Sequence, residues 1–407
     1  METLIERGGG LDVRKKSVAA RVRVPGPKGT RESHVRTCGT MAAELAALRE
    51  WLQSQGVTQV AMESTGVYWK PVWAVLEAAF TCLLVNAAHV KQVPGRKSDL
   101  LDGAWIAQLR EHGLVRGSFV PPAPIRELRD LTRYRKRLIE ERTREANRLH
   151  KLLEDTGIKL ASVATDILGV SGRAMLEALV QGTTDPARLA DLARGKLGAK
   201  LPALRQALAG QFRPHHAFLV SQLLAHLDYL DEAIDTLSAR LTEVMAPFTA
   251  ELGRLDTIPG VAQRTAEVLI AELGVDMTQF PSAGHAASWV GLCPGNHESA
   301  GKHKSGRTRK GNRWLRAAPT EAAHAATRTD SALAAQYRRL MHRGHKKAVV
   351  AVAHSILVIA YHLLSRQTTY RELGADYFDR RHAERATRRA VRQLERLGYR
   401  VTLQPAA

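Results

Sequence analysis

Three prolines in four residues, Pro121-Pro122-Ala123-Pro124, interrupt the chain at a point that no regular helix or strand can cross. The flanks differ in character, so the break reads as a linker between folding units. With 407 residues there is room for two or three domains. Ahead of the break, Leu11 to Val24 and Ser33 to Cys38 are strand-like and joined by Pro25-Gly26-Pro27. Met41 to Gln55 puts Leu45, Leu48 and Leu52 on one helical face. Val57 to Met62 and Thr81 to Asn86 are short apolar strands. Val67 to Ala79 reads as a helix with Pro71 in its first turn, and Ser98 to His112 as a helix capped by Ser98. This order predicts an α/β domain whose mixed sheet begins with an antiparallel meander.

Behind the break the pattern is helical. Ile125 to Glu154 is long and highly charged, with an interrupted seam of Leu128, Leu131, Leu138, Leu149 and Leu152. A second long helix, from about His215 to Met245, carries Leu223, Leu227, Leu230, Ile234, Leu237, Leu241 and Val244 in the alternating four-three spacing of a coiled coil. The pair could form within one chain or between two. The Ala-, Leu- and Gly-rich stretch between them predicts shorter helices. From Leu255 the chain reads as a helix, a Pro-Gly turn and another helix, then a Gly-rich basic loop, Ala-rich helices and a basic tail from Arg366. The expected boundaries are 8–122, 123–250, 251–345 and 346–407. In the last, seven arginines between Arg380 and Arg396 face four acids, a pattern open to either a solvated helix face or RNA contact.

Charge narrows the partner. Lys plus Arg total 60 against 40 for Asp plus Glu, so the net charge is +20. A chain this basic is expected to meet a polyanion, with nucleic acid ahead of a membrane surface. Cys38, Cys82 and Cys293 are scattered without a CxxC, which argues against a disulfide framework or a cysteine zinc site and fits a reducing cytoplasm. No signal-peptide run opens the chain. The most apolar stretch, Ala348 to Leu364, is short for a span and contains His354, Ser355 and His362, so it reads as a buried helix with no membrane role.

Four acids stand out in the α/β part: Asp12 in the first strand, Glu63 ending the strand VAMES, and Asp99 and Asp102 in KSDLLDG. Singly, each could be a surface charge, and Asp99 could serve a helix dipole. Together, carboxylates at strand ends and on a neighbouring helix repel one another unless a hard cation intervenes. Mg²⁺ or Mn²⁺, completed by substrate phosphate, is the natural partner. Two such ions can clamp the attacking and leaving oxygens of phosphoryl transfer.

The loop from Gly295 to Arg316 supplies the opposite charge. Lys302, Lys304, Arg307, Arg309, Lys310, Arg313 and Arg316 occur in a span without an acid, and Gly301, Gly306 and Gly311 let backbone approach phosphate. Ser299 and Ser305 sit among these cations. Either could attack a phosphodiester whose extra charge the cations stabilise, or could only donate a hydrogen bond. IPGVAQRTAEVLI, residues 258–270, resembles a helix-hairpin-helix that holds a backbone phosphate, with Ala262 where a second glycine is usual; plain helix packing is the alternative. Gly8-Gly9-Gly10 precedes a strand and fails as a dinucleotide fingerprint. His297 and His303 lack partners at metal-ligand spacing, and His342 and His345 belong to a basic surface. Tyr68 and Trp69 fit core packing better than base stacking.

GLDVRKKS, MESTGVYW, VPGRKSDLLDGAWIAQLREHGLVRGSFVPP and the downstream IPGVAQRTAEVL and ESAGKHKSGRTRKGNRWLR, in this order from about residue 8 to 330, resemble the DEDD-type insertion-sequence transposases. These are the bridge-RNA-guided serine recombinases of insertion-sequence family one-hundred-ten. The resemblance implies a RuvC-like, RNase H-type N-terminal domain over 8–122, a coiled-coil insertion over 123–250, and a mostly helical transposase domain over 251–345. It places the four metal-binding acids on Asp12, Glu63, Asp99 and Asp102 and the nucleophile on Ser299, with Ser305 as the second choice. Ser98 and Gly103 stand where the family usually has Thr and Ala, both changes of size only. The implied reaction is DNA recombination through a covalent phosphoserine. Its implied partners are donor and target DNA, a structured guide RNA and further copies of the chain, from dimer to tetramer. The rival enzyme is a Holliday-junction-type nuclease that uses the same acids with water as nucleophile. A basic nucleic-acid scaffold is the non-enzymatic rival.

Overall fold

The computed structural model describes residues 5–27, 30–63, 66–85, 102–112, 117–295, 297–381 and 383–404. It divides into two compact units, Met1–Val120 and Pro121–Ala407.

The first unit is built on a sheet of β1 (Gly8–Val13), β2 (Val18–Pro25), β3 (Arg31–Cys38), β4 (Gln59–Glu63), β5 (Thr81–Val85) and β6 (Gly117–Ser118), in the order β3-β2-β1-β4-β5-β6. β1, β2 and β3 form an antiparallel meander; β1, β4 and β5 run parallel; β6 closes the edge antiparallel to β5. The expected strand Leu11–Val24 is two strands, because the chain turns at residues 14–17, where the Arg14 amide donates to the Ser17 carbonyl at 2.9 Å. β6 has only two residues, too few to leave a periodic signal.

Helices α1 (Ala42–Ser54) and α2 (Trp69–Leu76) cover one face. Leu45, Leu48 and Leu52 meet Leu11, Val13, Val60 and Met62 there, as the helical spacing requires. The opposite face carries Ala61 and Val85, and on it lies α3 (Asp102–Glu111) through Ile106 and Leu109. Side chains alternate along β1, so Gly8 and Gly10 lie on this second face, where α3 packs on the strand. The expected start of that helix, with Ser98 as cap, lies outside the described residues.

The second unit is helical: α4 (Ala123–Thr156), α5 (Leu160–Val163), α6 (Val170–Val180), α7 (Pro186–Ala190), α8 (Leu201–Leu208), α9 (Pro214–Met245), α10 (Thr249–Asp256), α11 (Gln263–Leu273), α12 (Ala283–Val290), α13 (Arg313–Ala326), α14 (Ala332–Leu340), α15 (His345–Arg366), α16 (Tyr377–Arg381) and α17 (Ala383–Arg396). Two short strands, β7 (His297–Ser299) and β8 (Lys302–Ser305), precede α13. The long helices α4 and α9 pair within the chain and run antiparallel. Leu138 meets Leu230 and Ile234, Leu149 and Leu153 share a core with Val220, Leu224 and Leu227, and Arg142 makes a two-pronged ion pair with Asp231.

The seam differs from the heptad reading at its ends. Leu227, Leu230, Ile234 and Leu241 are buried as expected, but Leu224 and Met245 take the places of Leu223 and Val244. A straight helix drifts by about 20° per heptad, enough to hand contact to the next residue. On α4, Leu131 and Leu152 are only half-buried, while Thr132, Arg135 and Glu145 are buried. The helices α5 to α8 extend the core shared by Leu149, Leu153, Val220, Leu224 and Leu227 at one end of this pair, through Ile158, Leu160, Met175, Leu189, Leu204 and Leu208.

Helix α15 is long and apolar enough by composition to cross a membrane. Val349, Val352, Ala353, Ile356, Leu357 and Ala360 are buried in the structure, with α12, α13 and α14 against the helix. α10 and α11 form a helical hairpin around Gly260, whose φ is +85° and where an added Cβ would lie 2.3 Å from the Ala322 carbonyl oxygen. Only glycine satisfies both conditions. Gly260→Ala should therefore cost about 2–3 kcal/mol in chemical denaturation, the size of an overpacked core position with added backbone strain.

Candidate active site and nucleic-acid interface

In the first unit two of the candidate acids lie at the carboxyl ends of parallel strands. The β1–β4 register pairs Leu11 with Met62, so the next residues, Asp12 and Glu63, stand side by side. Alternation places both carboxylates on the α3 face, and α3, which packs on β1, β2 and β4, begins at Asp102. Carboxyl ends of parallel strands are the customary place for a site in such a sheet. Asp12 is largely enclosed, with 19% of its side chain exposed, and accepts from Arg14 Nε at 3.0 Å. Arg14 is 62% exposed, so the pair is of the weak, solvent-facing kind. Asp99 lies outside the described residues, and for Asp102 the backbone alone is described. Among the described residues no three His, Cys, Asp or Glu side chains are grouped to hold a metal. Asp12 and Glu63 are hard oxygen donors of the kind that Mg²⁺ accepts, so the donor chemistry fits.

The basic loop of the second unit is a β-ribbon rather than an irregular loop. Gly295 N donates to the Arg307 carbonyl at 3.0 Å, Pro294 bridges to Thr308, and β7 pairs with β8. Ala300 and Gly301 form the tip with φ of +50° and +71°, the geometry of a two-residue type I′ turn. Ser299 is the last strand residue before this turn and pairs in register with Lys302. Ser305 stands at the other end of β8, where its Oγ accepts from the Arg307 amide at 3.2 Å and bends its own chain. The strands HES and KHKS have no apolar alternation, which is why periodicity did not reveal them. Lys302, Arg307, Arg309, Lys310 and Arg313 are exposed, Arg316 donates to Thr308 Oγ1 at 2.9 Å, and the Lys304 side chain is outside the description.

The ribbon's neck is fixed by backbone contact and by a buried carboxylate. A Cβ on Gly311 would lie 2.3 Å from the Val290 carbonyl oxygen. Asn312 then caps α13, accepting from the amides of Trp314 and Leu315 at 3.0 and 3.1 Å, while its Nδ2 donates to Glu272 at 2.6 Å. Glu272, in α11, is fully buried and receives both prongs of Arg133 at 2.6 and 2.8 Å. Arg129 donates to the Ala271 carbonyl at 2.9 Å and lies beside Glu272; burial draws its guanidinium down to about 10. One turn away Arg135 pairs with buried Glu267. Sequence reading missed this network. Its trace was present as two glutamates within the apolar stretch AEVLIAEL of α11, matched by Arg129, Arg133 and Arg135 on α4.

At the α10–α11 hairpin, Ala262 precedes α11 without a side-chain cap, and Gln263 and Arg264 are exposed. This leaves helix-terminal amides beside a cation, an arrangement suited to a phosphate. Trp69 packs edge-on against Trp73 at 5.9 Å, in line with a core role, while Tyr68 is exposed.

Two family models match the chain in order. The DEDD-type IS110 model, described as Transposase, covers residues 9–158, and the model described as Transposase IS116/IS110/IS902 family covers residues 252–338. The chain belongs to the IS110 family of transposases. The first match takes in the sheet, Asp12, Glu63 and α4; the second takes in the α10–α11 hairpin, the ribbon and α13. The transposase for insertion sequence element IS1111A of Coxiella burnetii is 26% identical over 71% of this chain and 72% of its own length. A probable family 20 transposase of Pseudomonas aeruginosa is 27% identical over 80% of this chain and 89% of its own. Among solved structures, the Thermus thermophilus RuvC structure aligns with 28% of this IS110 transposase and 99% of its own chain, at 14% identity and a TM-score of 0.22.

Proposed function

We propose that this IS110 transposase cuts and rejoins the DNA strands of an insertion sequence through a serine nucleophile. The observation that carries the reading is the register of Asp12 and Glu63 at the carboxyl ends of adjacent parallel strands, on the face covered by the helix that starts at Asp102. The strand order β3-β2-β1-β4-β5 with an antiparallel opening meander supports an RNase H-type, RuvC-like domain. Asp12, Glu63, Asp99 and Asp102 would hold Mg²⁺ or Mn²⁺. When bound, that ion lowers the cost of charge building on the phosphoryl oxygens.

Ser299 Oγ attacks the scissile phosphorus. An Oγ–P bond forms, the bond from phosphorus to the leaving sugar oxygen breaks, and the serine proton passes to solvent while the leaving oxygen is protonated. Attack by another strand's hydroxyl on the phosphoserine reverses the step and reseals DNA without an external energy source. Lys302, beside Ser299 in the ribbon, and the exposed arginines behind it offset the extra negative charge. Assembly from dimers to a tetramer, pairing of donor and target DNA with a guide RNA, and a cytoplasmic setting without a membrane complete the reading, as does RNA contact by the long helices.

The test is adduct capture. End-labelled junction DNA incubated with wild-type protein should yield a protein–DNA adduct that survives denaturation. Ser299→Ala should remove it with DNA binding intact, and Ser305→Ala should retain it. Metal-dependent hydrolysis that persists in Ser299→Ala without any adduct in wild type would replace this reading with the water-using nuclease.

A further inference from the structure

A cavity of about 270 Å³ opens between α4, α11 and α13, within the second unit and one turn past the ribbon's neck. Its apolar part is Ile139, Val268, Ala317 and the indole of Trp314. Its cations fall into two groups. Arg133 and Arg135 are already committed to Glu272 and Glu267, and Lys136 to Glu321. Arg264 and Arg313 are exposed, and among the described residues neither has a carboxylate at ion-pair distance. Arg313 lies over the Trp314 ring at 4.4 Å, and Arg137 and Arg133 approach it at 5.6 and 5.9 Å. Thr265 adds a hydroxyl to the wall.

The chemistry of this cavity selects a flat, polarisable group attached to an anion. A purely apolar ligand would leave Arg264 without use, and a bare anion would leave the indole and aliphatic floor dry and unfilled. A single unstacked nucleotide satisfies both parts. Its base stacks against indole or guanidinium, and its phosphate meets Arg264 at the start of α11. The volume, near the lower end for ligand sites, admits one base and no more of a strand. We propose that this cavity binds one unpaired base of a nucleic-acid strand, stacked on Trp314, with the adjoining phosphate on Arg264 and Arg313. It adds a base pocket to the phosphate-binding surfaces and does not depend on how the strand is cut, because the assay below involves no cleavage.

Full-length protein is titrated with short single-stranded oligomers, one set DNA and one RNA, and with matched oligomers whose sugars lack bases. Wild type should bind the base-containing oligomers roughly tenfold more tightly than the abasic ones, the size of one base–aromatic stack. Trp314→Ala should erase that difference while leaving abasic binding unchanged, and Trp314→Phe should keep most of it. Ala317→Leu, which fills the cavity and leaves the ring, should erase it as well. Arg264→Ala should weaken both kinds of oligomer equally. The DNA and RNA sets identify which strand supplies the base. Equal binding of abasic and base-containing oligomers by wild type overturns the proposal, as does a Trp314→Ala loss of the same size for both.

Discussion

Glu272→Ala should lower the unfolding free energy of the second unit by about 3–5 kcal/mol, the range for breaking a buried ion pair from one side. Glu272 is fully buried, Arg133 grips it with two hydrogen bonds, Arg129 lies beside it, and Asn312 reaches it from the neck of the ribbon. Removing the carboxylate leaves two guanidinium groups facing each other with their counter-charge gone, in a place that water enters poorly. A loss of that size corresponds to a fall on the order of 10 °C in the unfolding transition of a domain this large. Calorimetry checks it. The local consequence is separable by hydrogen exchange. The amides of Trp314 and Leu315, which Asn312 caps, should exchange faster, because Asn312 loses the partner that orients it. The neighbouring pair offers a contrast. Replacing Arg135 and Glu267 together by Met and Leu removes both charges at once and should cost far less than Glu267→Ala alone. A near-silent Glu272→Ala would mean that water reaches this network.

Asp12→Asn should reduce strand cleavage on the order of a thousandfold, or about 4 kcal/mol of transition-state stabilisation. The substitution keeps shape and the strand register and removes one negative charge from the pair with Glu63. Its structural cost should be small, because the partner it abandons, Arg14, is mostly solvent-exposed. DNA binding should be unchanged or slightly tighter, since the chain carries a net charge of +20 and the change removes an acid. Cleavage rates and filter binding on the same preparation separate the two effects. Cleavage retained within tenfold would sink the role given to Asp12.

How far these residues were legible in the sequence depends on the range of the interaction. Leu45, Leu48 and Leu52 declared their helix because a repeat of three and four is a local property. The long helices declared themselves in the same way, and the middle of their seam was right. Its ends were not, because Leu224 and Met245 are chosen by partners that the repeat does not contain. The ribbon carries no strand signal because its strands are polar on both faces, and the Ala-Gly pair at its tip becomes legible as a turn only once the pairing register is fixed.

Sequence alone determined the basic charge, the break at Pro121, the helix-rich second half, and the identities of the acids, the serines and the family motifs. These follow from composition and short-range pattern, which the unfolded chain already possesses. It took the fold to set Asp12 and Glu63 abreast, through a parallel register between residues 51 apart in the chain. Only it joined Arg133 to Glu272 across 139 residues and set Trp314 over a cavity. Such contacts carry no local signature. They exist because burial brings distant segments together, and a buried charge or aromatic ring then has to find its partner wherever the fold puts one.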